Sequence, residues 1–449
     1  MRVLLINPPK SPKNLIAEYA PPDMKRELNR IGLIGPPLSL NSLAGNLPEF
    51  DVDIFDLKAE YDLGLVLNLD DAVCRKLEEF RPDIVGITFL TSDYNQGIRI
   101  LKLCKQFNRR ILTIVGGVHV SLCPADFDLP CVDICIFGPG KKIFRDIVIE
   151  HEKGSSFRNI PNISVLSEGC HRFTKRENMF LKPENLLSNV YSNRKLTKKY
   201  DDAYRAGKNR KAIAFVETSY GCPNKCTFCS IWPVNGGGFY KRNIDDVIGE
   251  LRTMTDYEAI RLIDANTMGD IDYSNRLFDR IIEEKLNKVF IMDIRSDTAA
   301  KHPELISKAA EAGLRVAIVG FESINDNELE YYNKESSSDI VLKSIEVFRK
   351  NNIDIRGVCI VQPDYDEKDF EVLESFLDNN GLMHSAISIM TPFPGTPLYE
   401  EVKHKIIIND LDYYNLFNSV FETKLPYNEF YGRISEIYRG KRGMQNFAG

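Results

Sequence analysis

Short apolar runs alternate with helix-length amphipathic segments over the first third of the chain. The alternation predicts helices at residues 69–80 and 97–108, each between two β-rich runs. The predicted strands lie at residues 2–6, 52–56, 82–88, 111–115 and 132–137. Strands that alternate with helices form a parallel sheet with right-handed crossovers. Residues 1–150 are therefore predicted to form a flavodoxin-like (Rossmann-type) doubly wound α/β domain, which binds ligands at the carboxyl ends of its strands.

A second strand–helix alternation begins near residue 212. Its predicted strands lie at residues 212–218, 260–264, 289–293, 316–321, 354–361 and 386–390. Six strand–helix units are too few for a closed eight-stranded barrel, so residues 212–400 are predicted to form a partial (β/α)6 barrel of the TIM type. Chemistry in such barrels takes place at the carboxyl ends of the strands.

Two further segments complete the chain. Residues 151–211 are predicted to be a linker that contains a β-hairpin at residues 163–173. Residues 194–211 carry eight Lys or Arg, which is typical of a solvated face, with an RNA or membrane contact as the less favoured alternative. Residues 401–449, rich in aromatic side chains, are predicted to be a helical segment packed against the barrel.

Composition narrows the class of protein. The 449 residues include 58 basic and 64 acidic side chains, a net charge of −6, which argues against a nucleic-acid binder. No apolar run approaches the length that crosses a bilayer, so a cytoplasmic protein without a membrane span is expected. The cytoplasm keeps thiols reduced, so most of the ten Cys are interpreted as buried free thiols.

Three of the cysteines stand apart from the others. Cys222, Cys226 and Cys229 follow the predicted strand at residues 212–218 with the spacing C-x3-C-x2-C. Cysteine thiolates hold iron–sulfur clusters, and three thiolates leave one iron of a four-iron cluster open for another ligand. A structural zinc site that recruits Cys170 or Cys359, or three unrelated buried thiols, are the alternatives.

This motif resembles the signature of the radical S-adenosylmethionine (SAM) superfamily, C-x3-C-x-aromatic-C, in which Phe228 supplies the aromatic residue. The resemblance covers residues 206–400. It implies a [4Fe–4S] cluster that cleaves SAM to a 5′-deoxyadenosyl radical, which abstracts hydrogen from a small-molecule substrate. It also implies an external electron donor of the flavodoxin or ferredoxin type, and contacts of Phe228 and Ser230 with SAM.

The same resemblance suggests roles for polar residues at the ends of the next barrel strands. Asp264, Arg295 and Glu322 are predicted to be catalytic, and Asn266 and Glu322 to bind SAM. A structural ion pair or helix cap is the competing interpretation of each. The Pro-Gly-Thr-Pro segment at residues 394–397 is similar to one common in radical SAM proteins that have an N-terminal cobalamin-binding domain, and a turn fixed by proline is the alternative.

The first domain resembles the cobalamin-binding domain that precedes the barrel in one branch of the superfamily. Similar segments lie at residues 7–9 and 36–40, and Gly116, Gly117 and His119 are predicted to bind cobalamin. The chain lacks the Asp-x-His-x-x-Gly segment that supplies an axial histidine, and its glycine-rich turn at residues 138–142 lacks the acidic residue of relatives. A domain that has lost cobalamin and only shapes the substrate pocket is the alternative.

The expected activity is therefore radical SAM chemistry, with cobalamin-dependent methylation at carbon as the main hypothesis. The alternative is a cobalamin-free dehydratase or rearrangement enzyme with a vestigial cobalamin domain, which acts on a natural-product or aminoglycoside-type substrate. A non-catalytic corrinoid or iron–sulfur carrier is a third possibility, against which the open cluster site and the six-unit barrel both count.

Overall fold

The computed structural model describes residues 1–29, 35–177, 186, 189–206 and 211–440. Parts of the predicted linker and the last nine residues of the predicted C-terminal segment lie outside these ranges. In chain order the strands are β1 (Arg2–Asn7), β2 (Asp51–Asp56), β3 (Ile84–Thr88), β4 (Leu112–Gly116), β5 (Ile134–Ile136), β6 (Ile163–Ser167), β7 (Cys170–Phe173), β8 (Arg205–Ala206), β9 (Lys211–Val216), β10 (Ser219–Gly221), β11 (Phe239–Lys241), β12 (Ala259–Leu262), β13 (Val289–Arg295), β14 (Leu314–Glu322), β15 (Asp354–Val361) and β16 (Ala386–Ile389).

The α-helices are α1 (Leu15–Tyr19), α2 (Pro22–Leu28), α3 (Leu38–Gly45), α4 (Leu57–Asp62), α5 (Leu69–Phe80), α6 (Tyr94–Phe107), α7 (Val118–Leu122), α8 (Lys141–Glu152), α9 (Ile231–Val234), α10 (Ile244–Arg252), α11 (Ile271–Glu283), α12 (Ser296–Lys301), α13 (Pro303–Glu311), α14 (Asp326–Tyr331), α15 (Ser338–Lys350), α16 (Glu367–Asn379), α17 (Pro397–Val402) and α18 (Tyr427–Gly440). Among the described helices, none is both long enough and apolar enough to cross a membrane.

The chain divides into two compact units. The first comprises residues 1–12, 36–204 and 233–236, and the second comprises residues 13–35, 205–232 and 237–449. The division does not follow chain order, because α1 and α2 belong to the second unit. There Tyr19 stacks on Tyr431 of α18 with ring centroids 5.4 Å apart, and the Leu15 N–H donates to Asn418 Oδ1 at 2.7 Å.

The first unit is built on a seven-stranded sheet with the order β2-β1-β3-β4-β5-β6-β7. Strands β1 to β5 are parallel, and their order, 2-1-3-4-5, is that of a flavodoxin-like sheet. Side chains alternate between two cores: Val3 and Leu5 pack on one face of β1, and Leu4 and Ile6 pack on the other. A parallel sheet is covered by helices on both faces, which is why its strands are apolar throughout. The predicted fold of this region is confirmed, as is the hairpin formed by β6 and β7.

The second unit contains the order β16-β15-β14-β13-β12-β9-β8. Strands β9 and β12 to β16 are parallel, and each is followed by helical structure, so the predicted partial (β/α)6 barrel is also confirmed. The short β8 pairs antiparallel with β9 at the edge. Helices of the barrel, together with α1 and α18, bury one extended apolar core against the outer faces of these strands.

Candidate functional site

The cysteine loop, residues 217–230, joins β9 to α9 at the carboxyl end of the first barrel strand. Its first half is held by the antiparallel pairing of β10 with β11. Gly221 ends β10 with φ +81°, and a Cβ there would lie 2.0 Å from the carbonyl oxygen of Gly238. Only glycine meets both conditions. This turn presents Cys222 immediately after the hairpin.

The three cysteines are neighbours in this loop. Cys226 is buried, Cys222 and Cys229 are partly buried, and all three are free thiols. Burial raises the pKa of the Cys222 thiol, and burial together with electrostatic interaction with Cys226 and Cys222 raises the pKa of Cys229 to about 11. Bound iron removes this penalty because a cation stabilises the thiolates, so the donor set fits a cluster held by three cysteines. Cys359, the alternative zinc ligand in this unit, is buried in the apolar core.

Asp264 lies just beyond β12 and is 3% exposed. Its carboxylate accepts hydrogen bonds from the backbone N–H and the hydroxyl of both Thr218 and Ser219, at 2.7 to 3.1 Å. Burial raises the pKa of the Asp264 carboxyl, and these donors oppose the rise. All four bonds go to the residues that begin the cysteine loop, so this side chain holds the loop against β12.

Arg295 is the last residue of β13 and is buried. Its Nη1 donates to the Cys226 sulfur at 3.5 Å, its Nε donates to Asp297 Oδ1 at 2.8 Å, and its Nη2 donates to the Lys334 carbonyl oxygen. Burial lowers the pKa of this guanidinium, but its interactions with Asp297 and with the Cys226 sulfur outweigh that effect and raise the pKa above its ordinary value. The structure thus brings Arg295 together with one of the predicted cluster ligands.

Glu322 ends β14 in an unusual backbone conformation. Its φ is +62°, and the pairing register of β14 with β15 shifts at this residue. Its Oε1 accepts a hydrogen bond from the Lys334 ammonium at 2.7 Å, and both side chains are buried. A buried non-glycine residue in the left-handed region stores strain, which is common at functional sites.

Residues 331–335, named here the support turn, contact the cysteine loop at several points. The Thr227 N–H donates to the Tyr332 carbonyl at 3.0 Å, and Asn333 Nδ2 donates to the Lys225 carbonyl at 2.9 Å. Asn224 Nδ2 donates to Glu335 Oε2 at 3.2 Å. Local sequence patterns do not predict the role of this turn, because Tyr-Tyr-Asn-Lys-Glu has the composition of an ordinary surface turn. The one signal in the sequence is that this turn comes shortly after the strand predicted at residues 316–321, which Glu322 follows.

Phe228 and Ser230 lie in the second half of the cysteine loop. The Phe228 ring packs edge-on against Tyr332, with centroids 5.2 Å apart. Ser230 directly precedes α9, in which Trp232 Nε1 donates to the Cys226 carbonyl at 2.9 Å. These contacts order the loop, and the roles of Phe228 and Ser230 toward SAM stay predictions.

A cavity of about 200 Å³ opens beside the cysteine loop. Residues that line it include Asn224, Asn266, Arg295 and Asp297. The side-chain oxygens of Asn266 and Thr267 are buried without a hydrogen-bond partner within the described residues. Buried polar atoms are normally satisfied, and Asn266 also lines the cavity, so its oxygen fits a site completed by a polar ligand such as SAM.

In the first unit, Gly116 ends β4 and Gly117 follows with φ +108°. A Cβ on Gly117 would lie 2.7 Å from the Phe89 carbonyl oxygen, so the backbone turn requires glycine. His119 lies two residues after Gly117, in α7. It is fully buried, and its ring is edge-on to Tyr94. The predicted glycine pair thus forms the close turn after β4.

The surroundings of His119 bear on its predicted role. Its Nε2 lies 3.1 Å from Asp126 Oδ2, and Phe127 packs against the ring. Donor atoms of His119, Cys123 and Asp126 all lie within 4.8 Å of one another, so this group could also hold a metal ion. Because these neighbours enclose the His119 ring, it is not exposed to coordinate a cofactor. Contact of His119 with cobalamin stays a prediction.

The carboxyl edge of the first sheet offers both polar anchors and open space. Asp56, at the end of β2, is buried and accepts hydrogen bonds from Asn7 Nδ2 at 2.8 Å and from the Tyr204 hydroxyl at 2.6 Å. Burial raises the pKa of Asp56. After β5, Gly138 adopts φ +72°, and a Cβ there would meet no atom within 4 Å. The turn after β5 is therefore open, and a cobalamin site at this edge stays a prediction.

Comparison with known families matches both units. Residues 28–148 match the model of the B12 binding domain, and residues 216–377 match that of the radical SAM superfamily. An uncharacterized methyltransferase of Pyrococcus horikoshii is 29% identical over 416 residues, covering 89% of this chain and 83% of that protein. The bacteriochlorophyllide d C-8(2)-methyltransferase of Chlorobaculum tepidum is 32% identical over 362 residues, covering 76% of this chain and 73% of that protein.

A solved structure shares the fold. The radical SAM methyltransferase TsrM of Kitasatospora setae, with cobalamin and a [4Fe–4S] cluster bound, superposes with a TM-score of 0.68 at 16% sequence identity. The match covers 90% of this chain and 75% of that chain. At this identity the likeness establishes the shared architecture.

Proposed function

Because this chain belongs to the radical SAM superfamily, in the branch that carries a B12-binding domain, we propose that it is a cobalamin-dependent methyltransferase that acts on a carbon of a small molecule. The observation that carries the proposal is the presence, in one chain, of both matched domains together with three free cysteines at the end of the first barrel strand. The relatives named as methyltransferases favour methylation over the dehydration or rearrangement considered as the alternative.

Each cofactor has residues suited to hold it. Cys222, Cys226 and Cys229 would ligate the [4Fe–4S] cluster, and Asn266, with its unpartnered oxygen, would bind SAM in the adjoining cavity. When bound, the cluster supplies the electron that cleaves SAM, and cobalamin supplies the carrier for the methyl group. Cobalamin would occupy the carboxyl edge of the first sheet, near Gly138.

The protein's own residues keep this machinery in position. Asp264 holds the start of the cysteine loop, and we propose that it is a positioning residue. Glu322 is neutralised by Lys334 at the end of β14, next to the cavity-lining strand β13, where it would orient a polar group of SAM or substrate. Holding these charges fixed before the reaction avoids reorganisation during it.

Two expectations outside the site belong to the same proposal. The cluster needs a low-potential electron, so an external donor of the flavodoxin or ferredoxin type would reduce it. Ten free thiols and an oxygen-sensitive cluster suit a reducing compartment, so we propose that the protein works in the cytoplasm.

Transfer of a labelled methyl group tests the function without knowledge of the substrate. Protein purified without oxygen from cobalamin-fed cells is reduced and mixed with SAM that carries a trideuterated methyl group. Methylation predicts a bound corrinoid whose mass includes the three deuteriums, together with S-adenosylhomocysteine. An unlabelled corrinoid, or release of 5′-deoxyadenosine by protein that holds no corrinoid, would contradict the proposal.

A further inference from the structure

The buried guanidinium of Arg295 is shared between two kinds of partner. One Nη donates to the Cys226 sulfur at 3.5 Å, and Nε donates to the Asp297 carboxylate at 2.8 Å. Sulfur acceptors form longer hydrogen bonds than oxygen acceptors, so 3.5 Å is within contact distance. Arg295 is therefore the one described side chain whose positive charge is hydrogen-bonded to a predicted cluster ligand.

A second cation lies close behind the first. Arg295 Nη2 donates to the Lys334 carbonyl oxygen, and the Lys334 ammonium is bonded to Glu322. Arg295 and Lys334 both act electrostatically on the Cys222 thiol. Each of these two cations has one carboxylate partner, and Asp297 also lies 3.6 Å from the exposed Lys301 ammonium. The balance of charge around the cysteines therefore depends on both pairs and on Lys301.

We propose that Arg295 tunes the reduction potential of the cluster, raising it by its hydrogen bond to the Cys226 thiolate, while Asp297 limits that rise by neutralising part of its charge. The inference rests on the proposed ligation of the cluster by Cys222, Cys226 and Cys229. It gives Arg295 a role as a positioning residue that acts through a ligand of the cluster, in place of a direct role on substrate.

The physical reason is the change of charge on reduction. When one electron enters the oxidised cluster from the external donor, the net charge of the cluster and its thiolates becomes more negative by one. A nearby cation and a hydrogen bond to a ligating sulfur stabilise the more negative state, which raises the potential. A neighbouring carboxylate does the opposite, because it repels the added electron. The buried surroundings strengthen both effects relative to water.

A purely structural role for Arg295 is the competing explanation. The bond to the Lys334 carbonyl would then matter because it fixes the support turn, and losing it would loosen the cluster. That role predicts altered iron retention and leaves the potential of intact clusters unchanged. The potential, measured on clusters that are present, separates the two explanations.

The test is a redox titration of the [4Fe–4S] cluster in the full-length, anaerobically reconstituted protein without SAM, followed by electron paramagnetic resonance of the reduced form. Arg295→Met removes the charge and the donor at similar volume and should shift the midpoint potential to a more negative value. Arg295→Lys keeps the charge and loses the forked geometry, so its shift should be smaller and of the same sign. Asp297→Asn should shift the potential in the opposite direction.

Measurements of iron content and SAM cleavage distinguish failure of the tuning proposal from failure of the proposed function. If wild-type protein holds four iron atoms and cleaves SAM but all three variants titrate at the wild-type potential, the tuning role is wrong and the cluster assignment stands. If Arg295→Met cannot hold iron, Arg295→Lys and Asp297→Asn decide by the opposite signs of their shifts, and equal potentials in these two variants would overturn the proposal.

Discussion

Thr218 donates two hydrogen bonds to Asp264, one from its backbone N–H at 2.7 Å and one from its hydroxyl at 2.9 Å. These two hydrogen bonds join the end of β9, the first barrel strand, to the end of β12, the second, at the point where the cysteine loop begins. Backbone N–H groups bonded to a carboxylate are strong, charge-assisted donors. The start of the cysteine loop is therefore anchored by an acidic residue on a different strand.

Replacement of Asp264 by alanine should release this anchor. The buried N–H groups of Thr218 and Ser219 would lose their acceptor, at a cost of about 3 kcal/mol or more in the free energy of unfolding. We expect a lower melting temperature and fewer iron atoms per chain after reconstitution. Asp279→Ala, at an exposed position of α11, is the control and should retain iron. Full iron content in Asp264→Ala would contradict the anchoring role.

The turn at Gly221 makes a second prediction. Alanine at either Gly221 or Gly236 costs about 1–2 kcal/mol because both residues have positive φ. Only at Gly221 would the new methyl group also lie 2.0 Å from a carbonyl oxygen, whereas at Gly236 it would meet nothing within 4 Å. Gly221→Ala should therefore lose its iron while Gly236→Ala keeps it, as measured by iron content after gel filtration. Equal iron in the two variants would show that the hairpin does not need this close approach.

The pH dependence of cluster assembly follows from the thiols. Burial, with electrostatic interaction with the neighbouring cysteines, raises the pKa of Cys229 to about 11, so at pH 7 to 9 this group is protonated in the apoprotein. Each ligand must lose its proton when iron binds, so a higher pH favours binding throughout the range below 11. Iron uptake by apoprotein from ferrous iron and sulfide should become faster between pH 7 and pH 9. A rate that is constant or falls over this range would be inconsistent with protonated, buried ligands.

The support turn makes a prediction through Asn333. Its side chain donates to the Lys225 carbonyl, and its φ of +50° suits asparagine or glycine. Asn333→Gly keeps the backbone conformation accessible and removes only the amide, so it isolates the hydrogen bond. We expect faster release of iron to a chelator from Asn333→Gly than from wild type. The exposed Asn352, also at positive φ, provides the control Asn352→Gly, which should match wild type.

Cobalamin binding can be tested at two matched glycines. Gly138 and Gly154 both have positive φ, and a Cβ at either would meet no atom within 4 Å. Gly138 lies after β5 at the carboxyl edge of the sheet, whereas Gly154 follows the far end of α8. Alanine causes the same backbone strain at both positions, so a difference between the variants reports on the ligand. With cobalamin bound near Gly138, Gly138→Ala should lose corrinoid and Gly154→Ala should retain it. Equal corrinoid in the two purified variants would exclude the turn after β5 from the binding site.

Much of this architecture could be predicted from local patterns. The strand β15 has the predicted bounds, and the parallel pairing of β1 to β5 and of β9 with β12 to β16 follows from the crossovers that the alternation implies. The cysteine spacing likewise identified the loop, because its three residues are close in sequence. Local patterns did not predict the hairpin of β10 with β11, whose strands have only three residues each.

The contacts that depend on distant residues were not predictable in the same way. Arg295 meets Cys226 across 69 positions, and Asn333 meets the Lys225 carbonyl across 108. A single sequence contains no signal that pairs such positions. The apolar pattern of α1 indicates a buried face but does not show that it packs on α18, at the other end of the chain.

The central claim, that one chain holds both a cluster and a corrinoid, is tested most directly by the stoichiometry of protein purified without oxygen from cobalamin-fed cells. Iron, sulfide and corrinoid would be measured per chain for the wild type and for Cys226→Ala. We expect about four iron atoms and one corrinoid in the wild type, with iron lost and corrinoid retained in Cys226→Ala. Wild-type protein with full iron, active SAM cleavage and no corrinoid would contradict it.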